Sequence, residues 1–302
     1  MVSKSYNQRF GGDWTEIKLQ KVAKYLKAYT TIMQRQKSIN AYAYIDAFAG
    51  TGYRNLASEE SSEGLLLPEF LEEDSQRLLD GSARIALKVE PRFTKYIFIE
   101  KDAERFEELK KLKQEFPALS DDIMLEQEDA NSYLLRFCGR DRKWMINHGR
   151  RAVLFLDPFG MQVEWKTLEA IAETQAIDLW LLFPLGVAVN RMLRKDGQIP
   201  ERWQYRLNTL FGATDWENAV YKVKTERTLF GEQTVTQKVE DPFASISNYF
   251  VGRLKTIFLG VAENPLPLYN SKNNPLYLLC FASANPKGSK TAINIAQDIF
   301  RR

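Results

Sequence analysis

The chain predicts an α/β fold, a mostly parallel sheet with helices on both faces. Two observations predict it. Short apolar runs such as Tyr96-Ile-Phe-Ile99, Arg151–Leu156 and Ile177–Phe183 lack polar alternation, as strands covered on both faces do. Between them lie segments with helical spacing of their apolar residues, which makes successive βαβ units the economical reading.

Taken in order, Thr15–Met33 places Ile17, Val22, Tyr25, Leu26, Tyr29 and Met33 at helical spacing, with Lys18, Lys21, Lys24 and Lys27 between them. This is an amphipathic helix with a basic face. A strand over Ala41–Asp46 leads into Phe48-Ala-Gly-Thr-Gly52, and the polar, acidic residues 53–80 read as an inserted loop. Gly81-Ser82 opens a helix through Lys88, and Asp102–Phe116 is a charged amphipathic helix stopped by Pro117. A strand over Ile123–Glu128 ends at Asp129 and precedes a helix to Phe137, while Glu164–Glu173 is helical. From Val187 to Val251 the chain turns basic and aromatic, and it reads as a mainly helical insertion with a short hairpin around Lys222–Val239. Strands are expected again at Thr256–Leu259 and Leu276–Phe281, then a helix over Lys290–Phe300. The expected organisation is a basic N-terminal helix (1–40), a core (41–186), an inserted subdomain (187–251) and a C-terminal part completing the core (252–302).

Composition narrows the chemistry. With 302 residues, 44% hydrophobic and 27% charged, the chain is an ordinary globular one. The longest apolar stretch, Leu179–Val189, is too short to cross a bilayer and contains Pro184, and no charged-then-apolar leader opens the sequence, so a cytoplasmic protein is expected. One histidine (His148) and two cysteines (Cys138, Cys280) leave no zinc or iron–sulfur cluster and no recognisable serine triad. The net charge of +3 is unevenly spread, with 8 basic and 2 acidic residues in 1–40, 18 and 27 in 41–185, and 16 and 10 in 186–302. Basic segments flanking an acidic centre suit a polyanion such as nucleic acid, and equally a solvated surface.

Open parallel sheets bind ligands beyond the carboxyl ends of their strands. Here Asp46, Glu100, Asp129 and Asp157 end successive strands, with the turn Gly50-Thr51-Gly52 after the first. A carboxylate such as Glu100 can accept hydrogen bonds from both hydroxyls of a ribose, and Asp129 would lie near an adenine. A nicotinamide fingerprint needs a third glycine, but Asn55 stands there. Asp46-Ala-Phe-Ala-Gly-Thr-Gly52 instead resembles motif I of S-adenosylmethionine-dependent methyltransferases.

The wider pattern is similar to the three-Cys-motif partner family of methyltransferase-like proteins. It rests on Trp14-Thr15-x-x-Lys18, Tyr44–Gly52, Gly81-Ser82-x-x-Ile-Ala-Leu87, Phe98-Ile-Glu100-Lys-Asp102, Phe155-Leu-Asp-Pro-Phe-Gly160 and Pro275-Leu-Tyr-x-Leu. The resemblance implies a Rossmann-like class I methyltransferase fold, S-adenosylmethionine as cofactor, and a separate protein partner bearing three cysteines. Asp46, Phe48, Gly50, Gly52, Glu100 and Asp129 are then the cofactor-binding candidates. Asp157-Pro158-Phe159-Gly160 resembles the Asp-Pro-Pro-aromatic motif of amino-methyltransferases, in which a carboxylate and a carbonyl orient an exocyclic amine. Asp157, Pro158 and Phe159 are the catalytic candidates, the alternative being that Asp157 caps the next helix. Lys18 could reach a ligand anion or stand exposed, and Arg194, Lys195, Arg202 and Trp203 could hold an extruded base or pack the insertion. The functions that follow are a methyltransferase acting on a nucleic-acid base or nucleotide, or a non-catalytic or conditionally active cofactor-binding partner in a complex with the three-cysteine-motif protein.

Overall fold

In the computed structural model, residues 13–49, 81–140, 142–228 and 231–302 are described. The Gly50-Thr51-Gly52 turn and the 53–80 insertion lie outside them. The chain begins with α1 (Asp13–Gln34) and β1 (Ala41–Asp46), and α2 (Ser82–Leu87) and β2 (Lys95–Ile99) come after the insertion. Next are α3 (Ala103–Glu115), β3 (Ile123–Glu126), α4 (Ala130–Arg140), α5 (Arg142–Asn147), β4 (Arg150–Leu156), α6 (Trp165–Glu173) and β5 (Ile177–Phe183). These strands pair in the order β3-β2-β1-β4-β5, all parallel.

Alternation along each strand builds two cores, one on each face of the sheet. Ile45, Ile97, Leu154 and Leu179 face Tyr133, Leu134, Leu168 and Ile171, while Tyr44, Phe98, Phe155 and Trp180 face Tyr25, Tyr29, Phe93 and Phe300. The expected Rossmann-like architecture is therefore the one observed. No helix among the described residues is long and apolar enough to cross a membrane.

Beyond β5 a π-helical turn (Leu185–Val189) leads into α7 (Asn190–Met192), α8 (Glu201–Phe211) and α9 (Glu217–Val220). The hairpin β6 (Tyr221–Thr228) and β7 (Gly231–Lys238) then precedes α10 (Pro242–Ile257). Residues 187–251 share the core of the sheet, since Phe250 of α10 stacks on Phe183 of β5 at 4.0 Å and Phe211 packs near both. The last elements are β8 (Gly260–Val261), β9 (Leu266–Tyr269), β10 (Pro275–Ser283) and α11 (Ser289–Arg301). β10 lies antiparallel beside β5, in place of the parallel sixth strand of a dinucleotide-binding sheet, and β8 and β9 cover its outer edge.

The strand expected at Thr256–Leu259 is instead the end of α10 and the residues after it. Asp241 caps that helix by accepting a hydrogen bond from the Ala244 amide (3.0 Å), and Pro242 suits its first turn. The buried stripe Ile246, Phe250, Val251 and Leu254 carries helical spacing into the segment, so the helix period wins there. At the opposite boundary, Gly186 lets the π-helical turn cross the start of β10. A Cβ there would sit 1.9 Å from the Pro275 carbonyl oxygen.

Two of the four lysines on α1 are turned inward, correcting the expectation of one basic face. Lys18 is 1% exposed, and the Lys21 ammonium donates to the Ile299 carbonyl at 2.9 Å, near the end of α11. Each finds oxygen partners that offset the loss of water.

Asp178, at the amino end of β5, accepts from Tyr25 Oη at 2.8 Å and from Ser283 Oγ at 2.5 Å, tying α1 and β10 to the centre of the sheet. Burial pushes its carboxyl up to about 6, against the pull of those two hydroxyls and of Arg151. A carboxyl raised in the folded state binds its proton more tightly there than in the unfolded chain. Stability is therefore fullest below about pH 4 with respect to this group and declines as pH rises through about 6. Asp178→Asn keeps an acceptor for one hydroxyl and a donor for the other but removes the charge. Thermal melts across this window should show a shallower decline for the variant, by about 3 kcal/mol at most. An unchanged slope would contradict this assignment.

Candidate functional site

The chain runs outward from β1 through β2 to β3, then returns to β4 on the other side of β1. That reversal places a crevice at the carboxyl ends of β1 and β4. Asp46 is the last residue of β1, Glu100 follows β2 directly and Asp157 follows β4 directly. The register sets Asp46 beside Phe155, and Asp157 lies two residues beyond Phe155, on the same side of the strand.

Asp46 is fully buried. It accepts from Tyr44 Oη at 3.1 Å and from the Phe48 amide at 3.3 Å, and it bonds the Ser82 hydroxyl at the start of α2. Burial chiefly, with the nearby charge of Asp157, pushes its carboxyl up to about 7, although those hydrogen bonds pull it down. Tyr44 and Ser82 belong to the sequence pattern but were not named as site residues. Period-two spacing from Asp46 could have found Tyr44, whereas Ser82 is brought in only by the return of the chain to the rim.

Asp157 is held by Lys18, whose Nζ lies 2.5 Å from Oδ2. The Lys18 side chain is 1% exposed and that of Asp157 17%. The ammonium lies over the rings of Trp14 (5.2 Å) and Phe155 (5.9 Å), and Trp14 stacks on Tyr277 at 4.9 Å. Lys18 is therefore a buried partner of Asp157 and not an exposed helix lysine. The alternative role of Asp157 as a helix cap is also corrected. The next helix, α6, starts only at Trp165 and has no side-chain cap, while Asn131 Oδ1 accepts from the Glu164 amide (3.1 Å) and the Thr167 hydroxyl (2.8 Å) at its start. Pro158 and Phe159 are buried, and the Phe159 amide donates to Gln162 Oε1 at 2.8 Å, bending the chain over Gly160 (φ +73°).

Glu100 Oε1 accepts from the Asp102 amide at 2.7 Å, with Arg105 Nη1 at 4.0 Å, so its carboxylate is set in place by the β2–α3 turn. Asp129 does not end its strand. β3 stops at Glu126, and Asp129 caps α4 by accepting from the Ser132 amide at 3.1 Å. Phe48 is half-buried at the edge of the core below β1, next to the undescribed Gly50 and Gly52.

The insertion residues lie on the segment that follows β5. Lys195 and Arg202 are exposed, the Arg194 guanidinium lies 5.9 Å from the Trp203 ring, and Trp203 is half-buried against the core. Trp203 thus helps seat α8 against the core.

Removing Lys18 would leave Asp157 without its cation beside Asp46. Lys18→Met should therefore destabilise the fold by about 3 kcal/mol, the lower end of the cost of breaking a buried pair. Adding Asp157→Asn should recover part of that loss. Denaturant melts of the two single variants and the double variant check this, and strictly additive losses would contradict a direct pair.

No protein-family model matches the sequence, and no curated protein matches it. Among solved structures, the chain is similar to the magnesium protoporphyrin IX methyltransferase ChlM from Synechocystis PCC 6803 with bound SAM. That likeness has a TM-score of 0.31 and 10% identity, covering 77% of this chain and 85% of that one. The glycopeptide N-methyltransferase MtfA complexed with S-adenosyl-L-homocysteine gives a TM-score of 0.30 and 9% identity, over 93% of this chain and 94% of that one. A methyltransferase from Geobacter sulfurreducens gives 0.28 and 15%, over 72% and 78%.

Proposed function

We propose that the chain is an S-adenosylmethionine-dependent methyltransferase acting on a nucleic-acid base, with an exocyclic amine held at Asp157. The observation that carries the reading is the trio of Asp46, Glu100 and Asp157 on the carboxyl rim of three neighbouring strands around the topological switch point. The donor set fits the cofactor. Glu100 presents a carboxylate already oriented by the Asp102 amide, suited to a pair of ribose hydroxyls. Asp46 fixes the turn into Phe48, after which Gly50 and Gly52 would allow close backbone approach. The antiparallel β10 and the missing third glycine both argue against a nicotinamide enzyme.

When bound, S-adenosylmethionine supplies an electrophilic methyl on a sulfonium, so the chain's own contribution is alignment and charge. Lys18 occupies Oδ2 of Asp157, which leaves Oδ1 to accept an N–H from the acceptor amine. The amine loses a proton as it gains the methyl. That proton leaves to solvent, while Asp46, fully buried and bonded to Tyr44, Ser82 and the Phe48 amide, fixes the rim beside Asp157. The buried Phe159 offers no open ring to a base and favours a second reading, that of a cofactor-binding subunit completed by the three-cysteine-motif partner the sequence pattern implies.

Two measurements test the proposal. Calorimetry should show S-adenosylhomocysteine binding that Glu100→Ala weakens at least about tenfold with the fold retained, the loss of a charge-assisted hydrogen-bond pair. No binding to the unaltered chain would overturn the cofactor reading. Tritiated-methyl transfer to DNA or RNA should fall at least about a hundredfold in Asp157→Ala, as when one aligning acceptor is lost. Equal incorporation would remove Asp157 from the reaction, and transfer appearing only with the partner present would favour the second reading.

A further inference from the structure

The β6–β7 hairpin is the one element pair that forms a sheet of its own among the described residues, its strands pairing only with each other over the full register Tyr221↔Lys238 to Thr228↔Gly231. Beyond its root it carries exposed residues on both faces. Val223 (70% exposed) lies on one face with Thr236, and Val235 (37% exposed) on the other with Lys224. A two-stranded ribbon without a buried face is marginal by itself, so what holds it is its root. There the Lys238 ammonium donates to the Asn190 carbonyl (3.0 Å), Asn190 Oδ1 (2.7 Å) and the Leu193 carbonyl (2.8 Å). Tyr221 Oη donates to the Arg194 carbonyl at 2.8 Å, and the Lys238 amide to the Lys195 carbonyl at 3.1 Å. These acceptors belong to the segment that leaves the carboxyl end of β5, so the ribbon is rooted on the rim that carries Asp46 and Asp157.

We propose that this ribbon enters the major groove of duplex DNA and holds the duplex against the carboxyl rim. Its role in presenting a base to Asp157 rests on the methyl-transfer reading above, whereas its docking does not. The shape fits one occupant. Two strands about 5 Å apart, with side chains on both faces, match a B-form major groove about 12 Å wide, and eight residues extend about 26 Å along it. The B-form minor groove, about 6 Å wide, is too narrow, and the deep, narrow major groove of A-form RNA does not admit side chains. Charge agrees, since outside the root lysine Lys238 the ribbon segment 221–237 holds three basic and two acidic side chains and continues the exposed Arg194, Lys195 and Arg202. Lys222, Lys224 and Gln237 are exposed on one face, chemistry suited to phosphates and base edges. Among the described residues of the ribbon, one valine on each face, set among lysine and threonine, gives a protein partner little apolar surface to bury.

The test is fluorescence anisotropy of the full chain with a labelled 20-base-pair duplex, its RNA counterpart and the single strand, over a salt series. Calorimetry with S-adenosylhomocysteine runs on the same samples. The duplex DNA should bind at least about tenfold tighter than the RNA. Lys222→Ala/Lys224→Ala should weaken binding at least about tenfold and reduce the salt slope by about 2, with the melting temperature unchanged. Equal or tighter binding to RNA or to the single strand, an unaffected double variant, or no DNA binding with ribbon-dependent self-association in sedimentation would each overturn the proposal. DNA binding that depends on the ribbon in a chain that binds no S-adenosylhomocysteine would leave the ribbon inference standing and refute the methyl-transfer reading.

Discussion

Two carboxylates meet in one corner of this protein, and a single buried ammonium makes the arrangement tolerable. Asp46 is sealed from water at the end of β1, and Asp157 faces the same space from the end of β4. Without Lys18, ionising both would place like charges together in a poorly hydrated site. Lys18 in turn fixes α1, since its stem runs between Trp14 and Phe155 and Trp14 closes on Tyr277. The first helix is thus bound to the rim by charge and to the sheet by Tyr25, Leu26 and Tyr29.

That corner also divides the labour between the two carboxylates. The ion pair with Lys18 takes up Oδ2 of Asp157, while the hydroxyls of Tyr44 and Ser82 bond the Asp46 carboxyl, which burial pushes up to about 7. Chemically identical groups thus sit in different environments, one ion-paired at the rim and the other sealed from water and hydrogen-bonded. Asp178 shows that burial alone does not make a site. It is raised as well, but it sits at the amino end of β5, bonded to Tyr25 and Ser283, and serves the packing of α1 against β10.

Much of the architecture was legible because it follows from periodicity. The runs at Ala41–Asp46, Tyr96–Ile99, Arg151–Leu156 and Ile177–Phe183 are strands because no polar alternation breaks them, and acids at the carboxyl ends of the first three mark the rim. Local pattern misled where a helix and a strand share a short apolar run, as at Thr256–Leu259, where the cap at Asp241 far upstream decides. It misled for Lys18 because sequence spacing cannot say whether a lysine between apolar stripes finds an anion. Asp129 was displaced from its expected place by the early end of β3, and its cap to Ser132 is an ordinary helix start. The root of the ribbon was not legible at all, since Lys238 and Asn190 are brought together only by the fold.

The central claim is that the rim carboxylates surround an adenosine-bearing sulfonium. A crystal structure of the full chain grown with S-adenosylhomocysteine tests it most directly. The account predicts ribose hydroxyls on Glu100, the sulfur above the end of β1, and an open space between that sulfur and Asp157. Density for the ligand away from Glu100 and Asp46, or a protein side chain filling the space beside Asp157 in the loaded crystal, would contradict it.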